Sequence, residues 1–474
     1  MADPVKGAAP VKIKNIIGKL FKFFAPKRNH HETKDYQSQA AATPYLVAPL
    51  VFIVIQSMSA TIGALDLVVS DLPIPIPLET GRAFHLNLSV LWPLLGCMGS
   101  GYYFLIEEAE AELHSPKLAA LQFWTFILTT IGILVSLMLG QLRGMEFDEA
   151  AFPFHLGIAF TLFIFFYNVI RTYLKAAERG RITMLSILSG SALLLMLYLP
   201  NTINYSQPTV SELVRFWVVH LWEELSKELL LLGALGAFLL KVTSLQRTRL
   251  EKILFIQLAI LIIGATFATG HHYYWIGVPE LWQWVGGAFS VVQIIGIFLI
   301  IYIFYLGITH LNWSKLDYGE KLTFAFIAAS VLYHIMGAAT LGMVIAVPQI
   351  NRYSSATYLT SAHAHFALYG AIGMLALAFS TYVLTRKADL TLKRYSYIWW
   401  GFGLNNLGLL LMGTVLTLAG FLQTYLARVA GIDFMATQTL IRPYLLLRTI
   451  GGAIFALGAF LFSSTLLYHF WHSK

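Results

Sequence analysis

The chain has 474 residues, of which 57% are hydrophobic and only 12% charged, and its mean hydropathy is +0.68. That is about half the charge of an ordinary soluble domain and excludes a water-soluble globular fold. The net charge of +8 does not point to nucleic acid, because the basic residues gather in one terminal segment and one set of loops. The single cysteine, Cys97, rules out an intrachain disulfide, and no CxxCH run is present for covalent c-type haem.

Residues 1–42 come first, with eight Lys/Arg between Lys6 and Lys34. This basic, partly amphipathic segment suits an anionic cytoplasmic membrane surface. It has neither the long apolar core nor the cleavage site of a signal peptide. Apolar runs of about 20 residues, long enough to cross a bilayer as helices, then follow one another. They lie near 43–65, 83–107, 118–140, 153–173, 183–200, 211–240, 252–277, 280–310, 321–347, 358–385, 395–426 and 440–470. One set of intervening loops holds Lys117; Lys175, Arg179 and Arg181; Arg247, Arg249 and Lys252; Lys315 and Lys321; Arg386, Lys387, Lys393 and Arg394. The opposite set holds only Arg82, Arg143, Arg352, Arg428 and Arg442. Positive charge stays on the cytoplasmic side of a membrane. The pattern therefore predicts an all-α polytopic membrane protein, a twelve-helix bundle over 43–474 with both termini cytoplasmic. No internal repeat or soluble domain interrupts it.

Histidines at membrane depth mark the chemistry, because a polar group there needs a partner. His85 opens the second span in "RAFHLNLSVLW", and His220 lies in the sixth, in "FWVVHLWEELSKELL". His271 and His272 close the seventh in "TGHHYYWIG", and His363 and His365 begin the tenth in "SAHAHF". The predicted topology puts all six in the outer third of the bundle, which favours a layer of metal cofactors. His334, alone in "VLYHIMG", reads as a packing or hydrogen-bonding residue. On a helix His363 and His365 point about 200° apart, so they serve two different cofactors. Glu224 is four residues after His220 and Glu228 four further, one stacked face. A carboxylate beside imidazole suits iron or another hard to borderline metal.

The stretches "HLNLSVLWPLLGCMGSGYYFLIEEAEAELHSPKLAALQFW", "WVVHLWEELSKELLLLGALGAFLLK", "TGHHYYWIGVPELWQW" and "AHAHFALYGAIGML" together resemble the catalytic subunit of cytochrome-c-dependent nitric oxide reductases, members of the haem-copper oxidase superfamily. The resemblance covers all twelve spans. It implies that His85 and His365 are axial ligands of a low-spin haem b, and that His363 is the proximal ligand of a high-spin haem b3. It implies non-haem iron on His220, His271, His272 and Glu224. It further implies a calcium ion near the haem propionates, with Gly96 and Glu146 (or Glu149) as ligands and Arg82 facing the propionates.

Oxygen reductases of the same superfamily carry a tyrosine four residues after the first metal histidine, where this chain has Glu224. A carboxylate is a poor ligand for copper(I) and a good one for iron, so reduction of nitric oxide to nitrous oxide and water is the expected reaction. Glu228 is expected in proton handling. Gln293, in "FSVVQIIG", stands where the family pattern has a glutamate near the iron, and a glutamine does not titrate. That departure leaves open a divergent NO-processing reaction, with a haem-copper terminal oxygen reductase as the other alternative. The implied partner is a membrane-anchored cytochrome c subunit, and the implied location is a bacterial inner membrane in denitrification.

Overall fold

No water is available inside a bilayer to satisfy peptide groups, so an apolar chain must close its hydrogen bonds within each crossing segment, and a helix does this. The computed structural model describes residues 36–69, 73, 76–143, 145, 148–387 and 392–472, and the described residues form no strand. Residues 1–35 of the basic terminal segment lie outside them.

Among the described residues, 11 helices are long and apolar enough to span a membrane. They are α1 (Gln37–Val68), α2 (Leu78–Ala109), α3 (Pro116–Met138), α4 (Phe152–Tyr173), α5 (Ile182–Thr202), α7 (Arg247–Tyr273), α8 (Leu281–Thr309), α9 (Tyr318–Ala346), α10 (Tyr358–Arg386), α11 (Arg394–Val429) and α12 (Phe434–His472). The remaining span, α6 (208–242), is a continuous helical run. It is less apolar because Glu212, Arg215, Glu223, Glu224, Lys227 and Glu228 all lie on it. The chain thus forms the expected all-helical membrane bundle, and its sixth helix trades hydropathy for chemistry.

Local signals set the helix starts. Ser115 caps α3, accepting the Leu118 amide at 3.2 Å with Pro116 in the first turn. Asp317 and Glu320 form a reciprocal capping box at the start of α9, at 2.8 and 3.1 Å.

Two helices form the centre. In the most apolar stretch of α2, 89% of residues are buried, and in α10 83%, against 28% in both α3 and α8. The central helices carry His85, His363 and His365, while α3 and α8 present Trp124, Leu128, Trp284 and Phe298 outward. At the opposite end of α2 the carboxylates fasten neighbouring helices. Glu108 takes both guanidinium nitrogens of Arg247, at 2.7 and 3.0 Å, and Glu107 pairs with Lys241. Such a bidentate pair fixes direction as well as distance.

Among the described residues, four π-helical turns interrupt the bundle, and three of them hold His220 and Glu224, His334 and His365: Val218–Leu225 in α6, His334–Gly342 in α9 and His365–Gly373 in α10. The fourth is Tyr425–Val429 at the end of α11. π-Turns frequently occur at functional sites. Those of α9 and α10 touch where Gly337 lies so close to α10 that an added Cβ would stand 2.6 Å from the Ala367 nitrogen.

Candidate metal centre

His220, His271 and His272 converge. One ring nitrogen from each lies within 4.8 Å of the others. The His220 and His271 rings are perpendicular with centroids 5.0 Å apart, and the His271 and His272 centroids are 4.2 Å apart. His272 Nε2 is 3.2 Å from His220 Nδ1, and Glu224 Oε1 is 3.6 Å from that same Nδ1. His220 is buried, and its Nε2 has no hydrogen-bond partner. A buried ring nitrogen without a partner is costly, and three imidazoles with a carboxylate are a donor set for a divalent metal. The four residues therefore fit the iron that the resemblance implies.

The surroundings orient these rings. Ser290 on α8 reaches His271 Nδ1 at 3.0 Å while its hydroxyl also bonds the Gly286 carbonyl at 2.7 Å. Phe216 lies nearly parallel to His272, with centroids 5.3 Å apart and planes 15° from parallel. The end of α7 is pressed against α8 at Gly286, where a Cβ would meet the His271 nitrogen at 2.4 Å. Only glycine allows that approach.

The α10 histidines separate as their spacing predicts. His363 Nδ1 donates to the Gly337 carbonyl at 3.0 Å, and His365 Nδ1 donates to the Ser361 carbonyl at 2.7 Å. Each donation fixes the tautomer and leaves Nε2 bare as a ligand, the usual outer support of a metal-binding imidazole. The His365 ring faces His85 across the gap between α10 and α2, centroids 5.8 Å apart and planes 27° from parallel. These two rings fit a shared axial pair, and His363 fits a second, separate site. Sequence reasoning missed the carbonyl partners, which no residue type reveals. Arg448 on α12 was also missed. Its Nε is buried with no hydrogen-bond partner among the described residues.

Other expected site residues fall in different places. Glu228 is on α6 with Oε1 3.5 Å from His334 Nε2, so the solitary histidine of the sequence has a carboxylate partner. Lys227 is fully buried and pairs with Glu223, not Glu224 or Glu228, and its ammonium also donates to the Val90 carbonyl at 2.9 Å. Gln293 packs on α7, its Cγ 3.2 Å from where a Cβ on Gly264 would be. Arg82 is exposed on the first turn of α2. Gly96 packs against Ala376 of α10, and its carbonyl accepts the Ser100 hydroxyl at 2.6 Å. It is nine residues past Asn87, about 13 Å along the helix, and Asn87 is the residue whose amide donates to Glu149 at 3.1 Å. The structure therefore does not bring Gly96 to that acidic loop, and Glu146 lies outside the described residues.

The chain is similar to known proteins along most of its length. Residues 40–454 match the family described as cytochrome c and quinol oxidase polypeptide I. The chain is 32% identical over 449 residues to a nitric oxide reductase subunit of Stutzerimonas stutzeri, covering 89% of this chain and 93% of that protein. It is 23% identical over 439 residues to a cytochrome c oxidase subunit 1 homolog of Agrobacterium tumefaciens (strain T37), covering 86% and 79% of the two chains. Among solved structures, a heme-copper terminal oxidase dimer determined by cryo-EM superimposes with TM-score 0.67 at 13% identity, over 92% of this chain and 84% of that one.

Proposed function

Because the chain belongs to the cytochrome c and quinol oxidase polypeptide I family, within the haem-copper oxidase superfamily, we propose that it is the catalytic subunit of a nitric oxide reductase. The reaction takes two NO, two electrons and two protons to N2O and water. One observation carries the reading. Glu224 stands beside His220, with Oε1 3.6 Å from its Nδ1, and His220 clusters with His271 and His272; this is the position where an oxygen reductase has tyrosine.

His85 and His365 would hold haem b, His363 would hold haem b3, and His220, His271, His272 and Glu224 would hold a non-haem iron; together these groups would supply electron transfer and the reduction of NO. The protein's own contribution is positional. The Gly337 and Ser361 carbonyls hold the two α10 rings in the tautomer that leaves Nε2 bare. Ser290 and Phe216 fix the rings at the end of α7. Glu224 supplies a negative charge that favours iron over copper(I). Glu228 supplies a protonatable carboxyl one turn along α6. Calcium, if bound, has Glu149 at the outer loop as its carboxylate. Electrons enter from a membrane-anchored cytochrome c subunit at the end of the bundle where the histidines lie. The chain resides in a bacterial inner membrane with both termini cytoplasmic.

Haem and metal analysis of the purified protein tests this reading. Two haem b and one non-haem iron per chain, with NO turnover driven by cytochrome c, are expected. Copper in place of non-haem iron, with oxygen turnover, overturns it in favour of a terminal oxygen reductase.

A further inference from the structure

His334 is 3% exposed and lies at membrane depth, where an isolated imidazole has no reason to be. Its Nδ1 is 2.9 Å from the Ser330 carbonyl oxygen. A carbonyl only accepts, so Nδ1 carries a proton and donates it. In a neutral ring this leaves Nε2 with a lone pair and no hydrogen. Nε2 faces Glu228 Oε1 at 3.5 Å. An ionised carboxylate is also acceptor-only, and two bare acceptors at that separation repel. One proton must therefore lie between Glu228 and His334, on one atom or the other.

The surroundings decide which. The pair borders a cavity whose other walls include Leu231, Leu235, Leu261, Ile300, Ile327 and Leu375, from α6 to α10. Glu228 and His334 are the two titratable groups among its described lining residues, and Ser330 is the other polar one. Among the described residues lining the cavity there is no other charged group, and the neighbouring charges on α6 are Glu224, one turn away, and Lys227, which pairs with Glu223. In such apolar surroundings two separated charges cost more than a neutral pair. The favoured form is a carboxylic acid donating to a neutral ring. A π-turn begins at His334 itself.

We propose that Glu228 and His334 form a single proton-holding unit below the iron site, in which His334 is a positioning residue that keeps Glu228 protonated and aimed. Release of the proton from Glu228 Oε1 toward the site leaves a carboxylate against a bare ring nitrogen. That repulsion recovers a proton from the aqueous phase and restores the neutral pair. The use of the proton, in forming water from the oxygen of NO, rests on the reading of the chain as a nitric oxide reductase. The existence of the shared proton does not.

Infrared difference spectroscopy of the intact holoprotein in membranes tests the unit without any substrate. The expected result is a protonated-carboxyl C=O band that is lost in Glu228→Gln. The band is expected to move in His334→Phe and to stay near its wild-type position in His334→Gln, whose amide oxygen still accepts. In the turnover arm, His334→Phe is expected to lower NO reduction about tenfold, with His334→Gln restoring most of it. Absence of the band in the wild type, or a band that His334→Phe leaves in place, overturns the proposal whatever the reaction is. A normal infrared response in a protein that does not turn over NO keeps the shared proton and removes only the proposed reaction.

Discussion

Gln56 is aimed at His85 by Trp92. The indole Nε1 donates to Gln56 Oε1 at 2.7 Å, which turns the amide nitrogen toward His85, 3.2 Å from Nδ1 and 3.4 Å from the backbone carbonyl. All three residues lie on α1 and α2, so the first two helices pack around the ring that faces His365. An amide nitrogen only donates, so this contact, unlike those of His363 and His365, does not by itself leave His85 Nε2 bare. Gln56→Leu removes the contact and leaves the buried Trp92 N–H without a partner, at a cost of about 1–3 kcal/mol. A lower thermal midpoint and a broadened low-spin haem signal, with haem content kept, are the expected outcome. An unaltered low-spin spectrum shows that Gln56 only packs.

Glu224→Gln keeps the shape of the side chain and removes its charge. The proposed haem ligands are on α2 and α10, so haem content should stay at the wild-type ratio. Non-haem iron should fall, and NO turnover should drop by at least about a hundredfold, the scale expected when a metal-linked charge is lost. Metal and haem assays on one preparation separate the two effects. Full iron occupancy with full turnover contradicts the assignment of Glu224 to the iron site.

Gly337→Ala places a methyl 2.6 Å from the Ala367 nitrogen and 2.7 Å from Phe366 Cβ, so α9 and α10 must separate. The Gly337 carbonyl then withdraws from His363 Nδ1. Overpacking of this kind costs about 1–3 kcal/mol. The expected signature is selective: high-spin haem is lost or loosened while the pair formed by His85 and His365 keeps its low-spin spectrum. Equal loss of both signals points to general unfolding.

Outside the membrane, Glu112 joins the α2–α3 loop to the first turn of α1. Its carboxylate accepts the Gln37 amide at 3.0 Å and the Ser38 amide at 2.9 Å, and it also takes the Ser38 hydroxyl. The Ser38 hydroxyl is the main reason that the Glu112 carboxyl is held below its ordinary value of 4.5. A lowered carboxyl favours the folded state above the unfolded value, and this contribution disappears as pH falls through the folded one. The thermal midpoint of the wild type should therefore drop in acid below about pH 4.5 more steeply than that of Glu112→Gln. Parallel pH profiles for the two proteins rule out the link.

Much of this site is legible in the residues alone, for a physical reason. Imidazole at membrane depth is expensive, so His85, His220, His271, His272, His363 and His365 stand out against an apolar background, and the two-residue spacing of His363 and His365 separates their targets. The sixth span is read correctly from its apolar flanks even though its charges depress its hydropathy. The π-turns are not legible. Nor is the choice of Glu223 by Lys227, or the meeting of Glu228 with His334 on another helix, because spacing alone does not tell which of several neighbouring carboxylates a side chain takes. Backbone partners such as Gly337 and Ser361 are equally hidden, because every residue carries the same carbonyl.

The rings of His85 and His365 are neighbours in space but 280 residues apart in the chain. A ribosome adding about 5–20 residues per second needs roughly 15 to 55 s to cover that interval. During that time α2 is already in the membrane with one half of its pocket missing. A chain stopped after α9 still contains His220, His271 and His272, yet it offers neither a partner for His85 nor His363. The gene therefore imposes a fixed order: the pair of rings can close only when the tenth helix arrives, and under the proposed function a factor that loads haem would act after it or shelter the open cleft until then.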